Sequence, residues 1–404
     1  MSFLLVIYVI FQAVIGFNLV FPLGLLGLSV FSKAGGSKRN SGEQENQQAE
    51  PDYAIIITAY GQADHIPAVL DSVKLLRYDN YLVYIVADHC DVPELVINDD
   101  RVMVLRPEKV LANNVKSHFY AIDRFRRAHD RLVIIDSDNL LHPGLLNGLN
   151  KWFDKGYRAV QGVREAKNLD TVYACLDAAR DIYYHFYDGK ILFAAGSSAT
   201  LSGSGMAFEV DLYRECLGGR DVPGAGFDKV LQAEIVSGDL RIAFASEAVV
   251  YDEKTTASSQ LVKQRARWIH TWFRYFRLGF GLVGKGIRNA SVNQLLFGMV
   301  LLRPPLFIFL ILSLVFTVVN LLLFPPAGYA WLAGLFCFVG GFAIAMVRSS
   351  ADPRIIKSLY AIPRFIYYQV CALFKTGKAG RLSVATREGG AERNQNGNEL
   401  KVES

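Results

Sequence analysis

Redox and zinc chemistry have little to work with in this 404-residue chain. Its five cysteines (Cys90, Cys175, Cys216, Cys337 and Cys371) lie far apart with no C-x-x-C pair, which excludes a disulfide framework or a zinc knuckle and fits a reducing compartment. The seven histidines include no H-E-x-x-H pair, and isolated ones such as His185 and His270 read as structural. No G-x-G-x-x-G follows the first apolar run of the central region, so a dinucleotide site lacks its phosphate turn. Gly279 to Lys285 has a P-loop spacing, but Gly286 stands where Ser or Thr must reach magnesium, and an aromatic helical pattern precedes it instead of a strand. The net charge is only +5 and no long basic run lies behind it, which argues against nucleic acid and for an anionic membrane face or phosphorylated substrates. There is no internal repeat.

Charge is missing altogether from long stretches. Residues 3–31 carry none, and a run of that length exceeds the roughly 20 residues a helix needs to cross a bilayer. It is also too long, and lacks the basic start, for a cleaved signal peptide. Two further apolar runs, 305–324 and 329–347, flank the turn Pro325, Pro326, Ala327, Gly328 and predict a transmembrane hairpin. Basic residues follow the first run (Lys33, Lys38, Arg39), precede the second (Arg303) and follow the third (Arg348, Arg354, Lys357), while the turn has none. The positive-inside rule therefore places the large middle region in the cytoplasm and the turn outside. The apolar stretch 294–302 is too short for another crossing and predicts an interface helix.

Between the spans, a Gly, Ser, Gln and Glu-rich linker at 33–51 gives way to a folded region, and residues 388–404 form a polar tail with little to bury. Short apolar runs bounded by turn signals at 53–58, 82–87, 102–105, 132–135, 159–163 and 242–245 read as buried strands. Helical patterns such as 66–76 and 115–126 separate them, which predicts a mostly parallel sheet covered by helices.

Ligands of such sheets bind beyond the carboxyl ends of the strands, so the residues after each run carry the chemistry. Asp88 follows one run, and Asp136, Ser137, Asp138 follows another as a D-x-D pair. Two carboxylates leaving a sheet in this way offer hard oxygen ligands for Mg²⁺ or Mn²⁺ with room for substrate phosphates. Asp is also common at strand ends and turns, so the pair alone decides nothing. Two further motifs add weight: Gly226, Phe227, Asp228, Lys229, Val230, Leu231, and Gln264, Arg265, Ala266, Arg267, Trp268.

An Asp, then D-x-D, then Asp-x-x-Leu, then Q-x-x-R-W, in that order, resembles the family 2 inverting glycosyltransferases of GT-A fold. The likeness is to the membrane-bound branch with cellulose, chitin and hyaluronan synthases and ceramide glucosyltransferases, and it covers roughly residues 50–280. It implies an α/β fold with a GT-A type sheet, one N-terminal and two C-terminal transmembrane helices, and transfer from a nucleoside diphosphate sugar. It assigns Asp88 to the nucleobase and ribose, Asp136 to the nucleotide and metal, and Asp138 to the metal-bridged diphosphate. Asp228 becomes the general base, Gln264, Arg265 and Arg267 join the donor site, and Lys116 at a helix start also faces the nucleotide. Trp268 and the Gly-rich segment with Gly203 and Gly205 adjoin the acceptor. Phe227 stands where the family often has an acid, and Thr58, Ala59, Tyr60, Gly61, Gln62 keeps only the Tyr of the usual opening turn. A plain turn at 203–208, a helix-capping role for Asp228, and Glu234 or Glu253 as base remain open alternatives.

The implied organisation is a spanning helix at 1–32, a linker at 33–51, a cytoplasmic GT-A domain at 52–262, and the Q-x-x-R-W and interfacial helices at 263–304. A transmembrane hairpin at 305–347 and a cytoplasmic segment with a disordered tail at 348–404 complete it. Trp268, Trp272, Tyr275, Phe276 and Gly279 recur at helical spacing with Arg267, Arg274 and Arg277 among them, as in a helix lying in an interface. The expected acceptor is accordingly a lipid-linked species or a glycan at the membrane, with an oligomer or partner subunits left open. The competing readings are a processive polysaccharide synthase subunit, a catalytically inactive sugar-nucleotide-binding subunit and, with only three spans to form a pathway, a transporter.

Overall fold

The computed structural model describes residues 3–35, 50–90 and 99–379. The expectation of a mobile linker falls mostly on 36–49, and that of a disordered tail on residues after 379, so both lie outside the described residues. In chain order the elements begin with α1 (Phe3–Gly35), β1 (Tyr53–Tyr60), α2 (Ile66–Lys74), β2 (Tyr81–Asp88), β3 (Val102–Leu105) and α3 (Asn114–Ile122). There follow β4 (Arg131–Asp136), β5 (Leu140–Leu141), α4 (Leu145–Phe153), β6 (Ala159–Ala166) and α5 (Val172–Tyr184). The chain then passes through a π-helical turn (His185–Ile191) into the short α6 (Leu192–Ala194). The second half holds β7 (Met206–Glu209), α7 (Val210–Leu217), α8 (Phe227–Ser237), β8 (Ile242–Asp252), α9 (Ser258–Tyr275), α10 (Leu278–Arg288) and α11 (Val292–Leu302). It ends with α12 (Leu306–Leu323), α13 (Pro325–Arg348), α14 (Pro353–Ser358) and α15 (Ile362–Ala379).

The eight strands form one sheet in the order β3-β2-β1-β4-β7-β6-β8-β5. Only β7 and β5 run against the others, so the mostly parallel expectation holds. Strand β1 is buried on both faces, as an interior parallel strand covered by helices must be. Alternate residues divide between two layers: Ile55, Ile57, Val133 and Ile135 pack with α2 and α4, while Ile56, Tyr84 and Ile134 share a core with α5 and α8. That second core continues without a break into Ile15 and Leu19 of α1 and Phe316 and Trp331 of the C-terminal helices.

Parallel register aligns the functional ends. Tyr60 pairs with Asp88 and Thr58 with Asp136, so both acids leave the sheet at the same edge. The sequence reading missed two strands. Strand β5 has only two residues, and β7 lies in the segment read as a Gly-rich acceptor turn, where it fills the gap between β4 and β6. Strand β8 runs seven residues beyond the apolar stretch at 242–245, because Ser246 and Glu247 interrupt the apolar pattern without ending the pairing.

Three helices are long and apolar enough to cross a membrane: α1 (over Val6–Phe31), α12 and α13. Gln12 of α1 ties them together, its Oε1 accepting from Asn320 Nδ2 at 2.7 Å and Trp331 Nε1 at 2.8 Å. The hairpin is tighter than the sequence suggests. Pro325 and Pro326 open α13 instead of forming a turn, since a helix's first residues need no N–H partner, and Phe324 alone separates the two helices.

Candidate active site

A cavity of about 1180 Å³ opens beyond the carboxyl ends of the strands. Of the residues singled out in the sequence, Asp136, Asp138, Gly203, Asp228, Gln264, Arg265, Arg267 and Trp268 line it, as does Glu253 of the two alternative bases, together with Thr58, Tyr60 and Gln62 of the opening turn. Asp88, Lys116 and Gly205 do not. Both oxygens of Asp88 accept backbone N–H groups, from Leu111 at 3.0 Å and Ala112 at 2.6 Å, so this acid holds the loop that carries the lining residues Asn113 and Asn114. Lys116 is exposed, and its backbone N–H caps α3 by donating to Asn113 Oδ1 at 3.0 Å. Gly205 adopts φ +66° at the start of β7, where a side chain would meet Val250.

The D-x-D carboxylates crowd together. Burial and the negative charge of Asp138 push the Asp136 carboxyl up to about 7, and burial with Asp252 raises Asp138. Asn139 joins the group: with its amide nitrogen turned to the acids it donates to Asp138 Oδ1 at 2.9 Å and Asp252 Oδ1 at 3.2 Å, and its oxygen accepts from Ser204 Oγ at 2.8 Å. Among the described residues no cluster of three or more His, Cys, Asp or Glu side chains is arranged to hold a metal. Asp252, a third acid near the pair, is engaged by Lys254 Nζ at 2.8 Å and Arg164 Nη2 at 3.0 Å.

Asp228 occupies the first turn of α8, where Lys229 Nζ lies 3.1 Å away. Gly226 precedes α8 as its N-cap, with a φ of +101° that suits glycine, and its missing side chain lets Thr271 and Tyr275 of α9 approach; a Cβ there would fall 2.5 Å from Thr271 Cγ2. The base candidate and the Q-x-x-R-W helix are thereby locked together. On α9, Gln264 Oε1 accepts from Thr255 Oγ1 at 3.2 Å, Arg265 is buried against Asp177, and Arg265 and Arg180 each stack on Trp268 at 4.2 Å. Burial lowers Arg267, and the nearby charge of Asp136 partly offsets this.

Several lining residues are not among the site residues expected from the sequence: Arg164, Arg180, Asp181, Asp188, Asp252, Lys254 and Arg303, the last marked there only as a charge before an apolar run. Asp252 and Lys254 had a signal, since they follow a strand, but the strand's true end was hidden. Asp177 and Asp181 also had one, as i, i+4 neighbours on a single helix face. Asp188 had none, because a π-helical turn presents it and no local pattern marks such a turn.

Residues 51–271, more than half of the chain, match the family described as "Glycosyltransferase like family 2". The chain belongs to this family. Among solved structures, this glycosyltransferase is similar to the mannosyltransferase PcManGT from Pyrobaculum calidifontis in complex with GDP-Man and Mn²⁺, at 15% identity over 90% of this chain and 97% of that one, with a TM-score of 0.49. It is also similar to S. aureus TarS 1-349 in complex with UDP-GlcNAc, at 14% identity over 81% of this chain and 92% of that one, with a TM-score of 0.41. Comparison with curated proteins finds no match.

Proposed function

We propose that this family 2 glycosyltransferase moves a sugar from a nucleoside diphosphate donor to the hydroxyl of a membrane-borne acceptor, with inversion and with a divalent cation. The observation that carries the reading is that Asp136, Asp138, Asp228 and the Q-x-x-R-W side chains, far apart in the chain, share one cavity whose walls continue onto the apolar helices α12 and α13. The acceptor hydroxyl forms a bond to the anomeric carbon as the bond from that carbon to the diphosphate oxygen breaks on the opposite face. Asp228 takes the hydroxyl proton. Asn113 and Asn114, on the loop held by Asp88, face the nucleotide, and Arg267 donates to the diphosphate.

The donor set fits Mg²⁺ or Mn²⁺. Asp136 and Asp138 supply hard oxygens in a site short of positive charge, and two carboxylates leave positions for phosphate oxygens and water, the usual arrangement of Mg²⁺ with a phosphorylated substrate. Bound there, the ion would neutralise charge developing on the leaving diphosphate.

The apolar spans and the exposed Phe273, Phe280 and Ile287 on α9 and α10 support a catalytic domain seated at the cytoplasmic surface of a membrane. We take 52–262 as the catalytic domain and 263–304 as its interfacial extension, with the Q-x-x-R-W motif in the middle of α9. A panel of UDP- and GDP-sugars offered to the purified full chain with Mn²⁺ and a membrane lipid extract tests the function. Sugar release or transfer from one donor is expected, lost with excess chelator and in Asp138→Ala. Full turnover in chelator would contradict the metal role, and no turnover of any donor the transferase role.

A further inference from the structure

Asp228 follows a loop with few holds of its own. Residues 218–226 join α7 to α8 without helix or strand, and all but Val222 and Gly226 are exposed. Among the described residues, 221–225 take part in only two hydrogen bonds: Val222 O accepts from Asn113 Nδ2 at 2.7 Å, and Pro223 O accepts from Arg274 Nη1 at 2.8 Å. The two are not equal. Pro223 and Arg274 are exposed, so water can stand in for either group, whereas Val222 is 5% exposed and its carbonyl is less readily hydrated once its donor is gone.

Asn113 holds that carbonyl from a fixed platform. Its Oδ1 accepts from Lys116 N at 3.0 Å as the N-cap of α3, and the residues before it are held by Asp88, whose two oxygens take the N–H groups of Leu111 and Ala112. Ala112 sits at φ +45°, a left-handed backbone that alanine adopts only where its surroundings impose it. A second contact lies further along α3. Buried His118, its Nδ1 2.7 Å from the Tyr213 hydroxyl, meets the ring of Phe227 edge to face at 5.0 Å. Phe227 immediately precedes Asp228. The first half of α3 thus grips the chain before the base at Val222 and at Phe227, and its start also lines the cavity with Asn113 and Asn114.

We propose that Asn113 is a positioning residue for Asp228: by holding the Val222 carbonyl it ties the loop that leads to the base to the loop that Asp88 fixes beside the nucleotide. This rests on the transferase reading with Asp228 as the base, and adds a residue that acts through it. The cap and the bridge made by Asn113 can be separated, because serine caps a helix about as well as asparagine but is too short to reach Val222. The experiment is a double-mutant cycle on the purified full chain with Mn²⁺, membrane lipid extract and whichever UDP- or GDP-sugar the parent turns over, read as turnover at saturating donor. Asn113→Ser should lower turnover about tenfold in the parent, but change it by less than about twofold in the Asp228→Asn background, where no base is left to position. Equal losses in the two backgrounds would assign Asn113 a role independent of the base and overturn the proposal. Parental turnover in Asn113→Ser, or a loss confined to donor affinity, would overturn it as well. If Asn113→Ser does not fold, Asn113→Asp, which also caps but sets a carboxylate oxygen against the Val222 carbonyl, goes through the same cycle with the same expected and contradicting results. A parent that turns over no donor defeats the transferase reading, whereas turnover with equal losses in both backgrounds defeats this inference alone.

Discussion

Two carboxylates of one cavity meet different surroundings. Asp136 is crowded by Asp138 and Asp252 at the end of β4, whereas Asp228 sits in the first turn of α8 beside Lys229. Asp228→Asn should keep donor binding, measured by calorimetry with the nucleotide sugar, but lose about 10²- to 10⁴-fold in transfer because the amide cannot take the proton. Loss of donor binding along with transfer would move Asp228 into the donor site or the fold. For Asp136 the prediction is one of stability. Burial and the charge of Asp138 push its carboxyl up to about 7 in the folded chain, above the ordinary 3.8, so the folded state prefers the protonated form and stability falls as pH rises between those values. In metal-free buffer, Asp136→Asn should therefore melt higher than the parent at pH 8, with the gain vanishing toward pH 4, while donor turnover is lost. A gain largest at low pH would contradict the crowding. At this scale Asp88, Asp136 and Asp138 were legible because they follow apolar runs, and Asp228 and Gln264 to Trp268 because their order resembles the family's motifs. Their partners Arg164, Asp181 and Lys254 were not, since long-range pairing leaves no local trace.

At the scale of elements, apolar runs and turn signals sufficed for the strands that are buried on both faces. They failed for β7, which follows glycines, and for the far half of β8, where polar residues alternate with apolar ones along a strand that is still paired. Helix patterns also ran long: α3 ends at Ile122, four residues short of the expected end. The apolar helices were legible by length alone, although the hairpin between them was not, because Pro325 and Pro326 read as a turn in sequence and as a helix start in the fold. Their orientation is a prediction from charge. With Pro326→Cys at the exposed tip of the hairpin and Ser41→Cys in the linker, an impermeant maleimide applied to intact cells should label the first and spare the second. The reverse pattern would put the catalytic cavity away from cytoplasmic nucleotide sugars.

Across the whole molecule, the sheet's second core is continuous with the three helices that are apolar enough to cross a membrane, and the cavity follows the same path between them. A growing polysaccharide that crossed the bilayer would need a polar conduit to shield its hydroxyls, and three candidate spans among the described residues leave an apolar groove instead. The product should then be short, one or a few sugars on a lipid. Incubating the purified full chain in lipid with its labelled donor, and then partitioning and sizing the product, tests this most directly. Label is expected in the organic phase on a lipid carrying one or a few sugars; long water-soluble chains made without an added partner would contradict a short product.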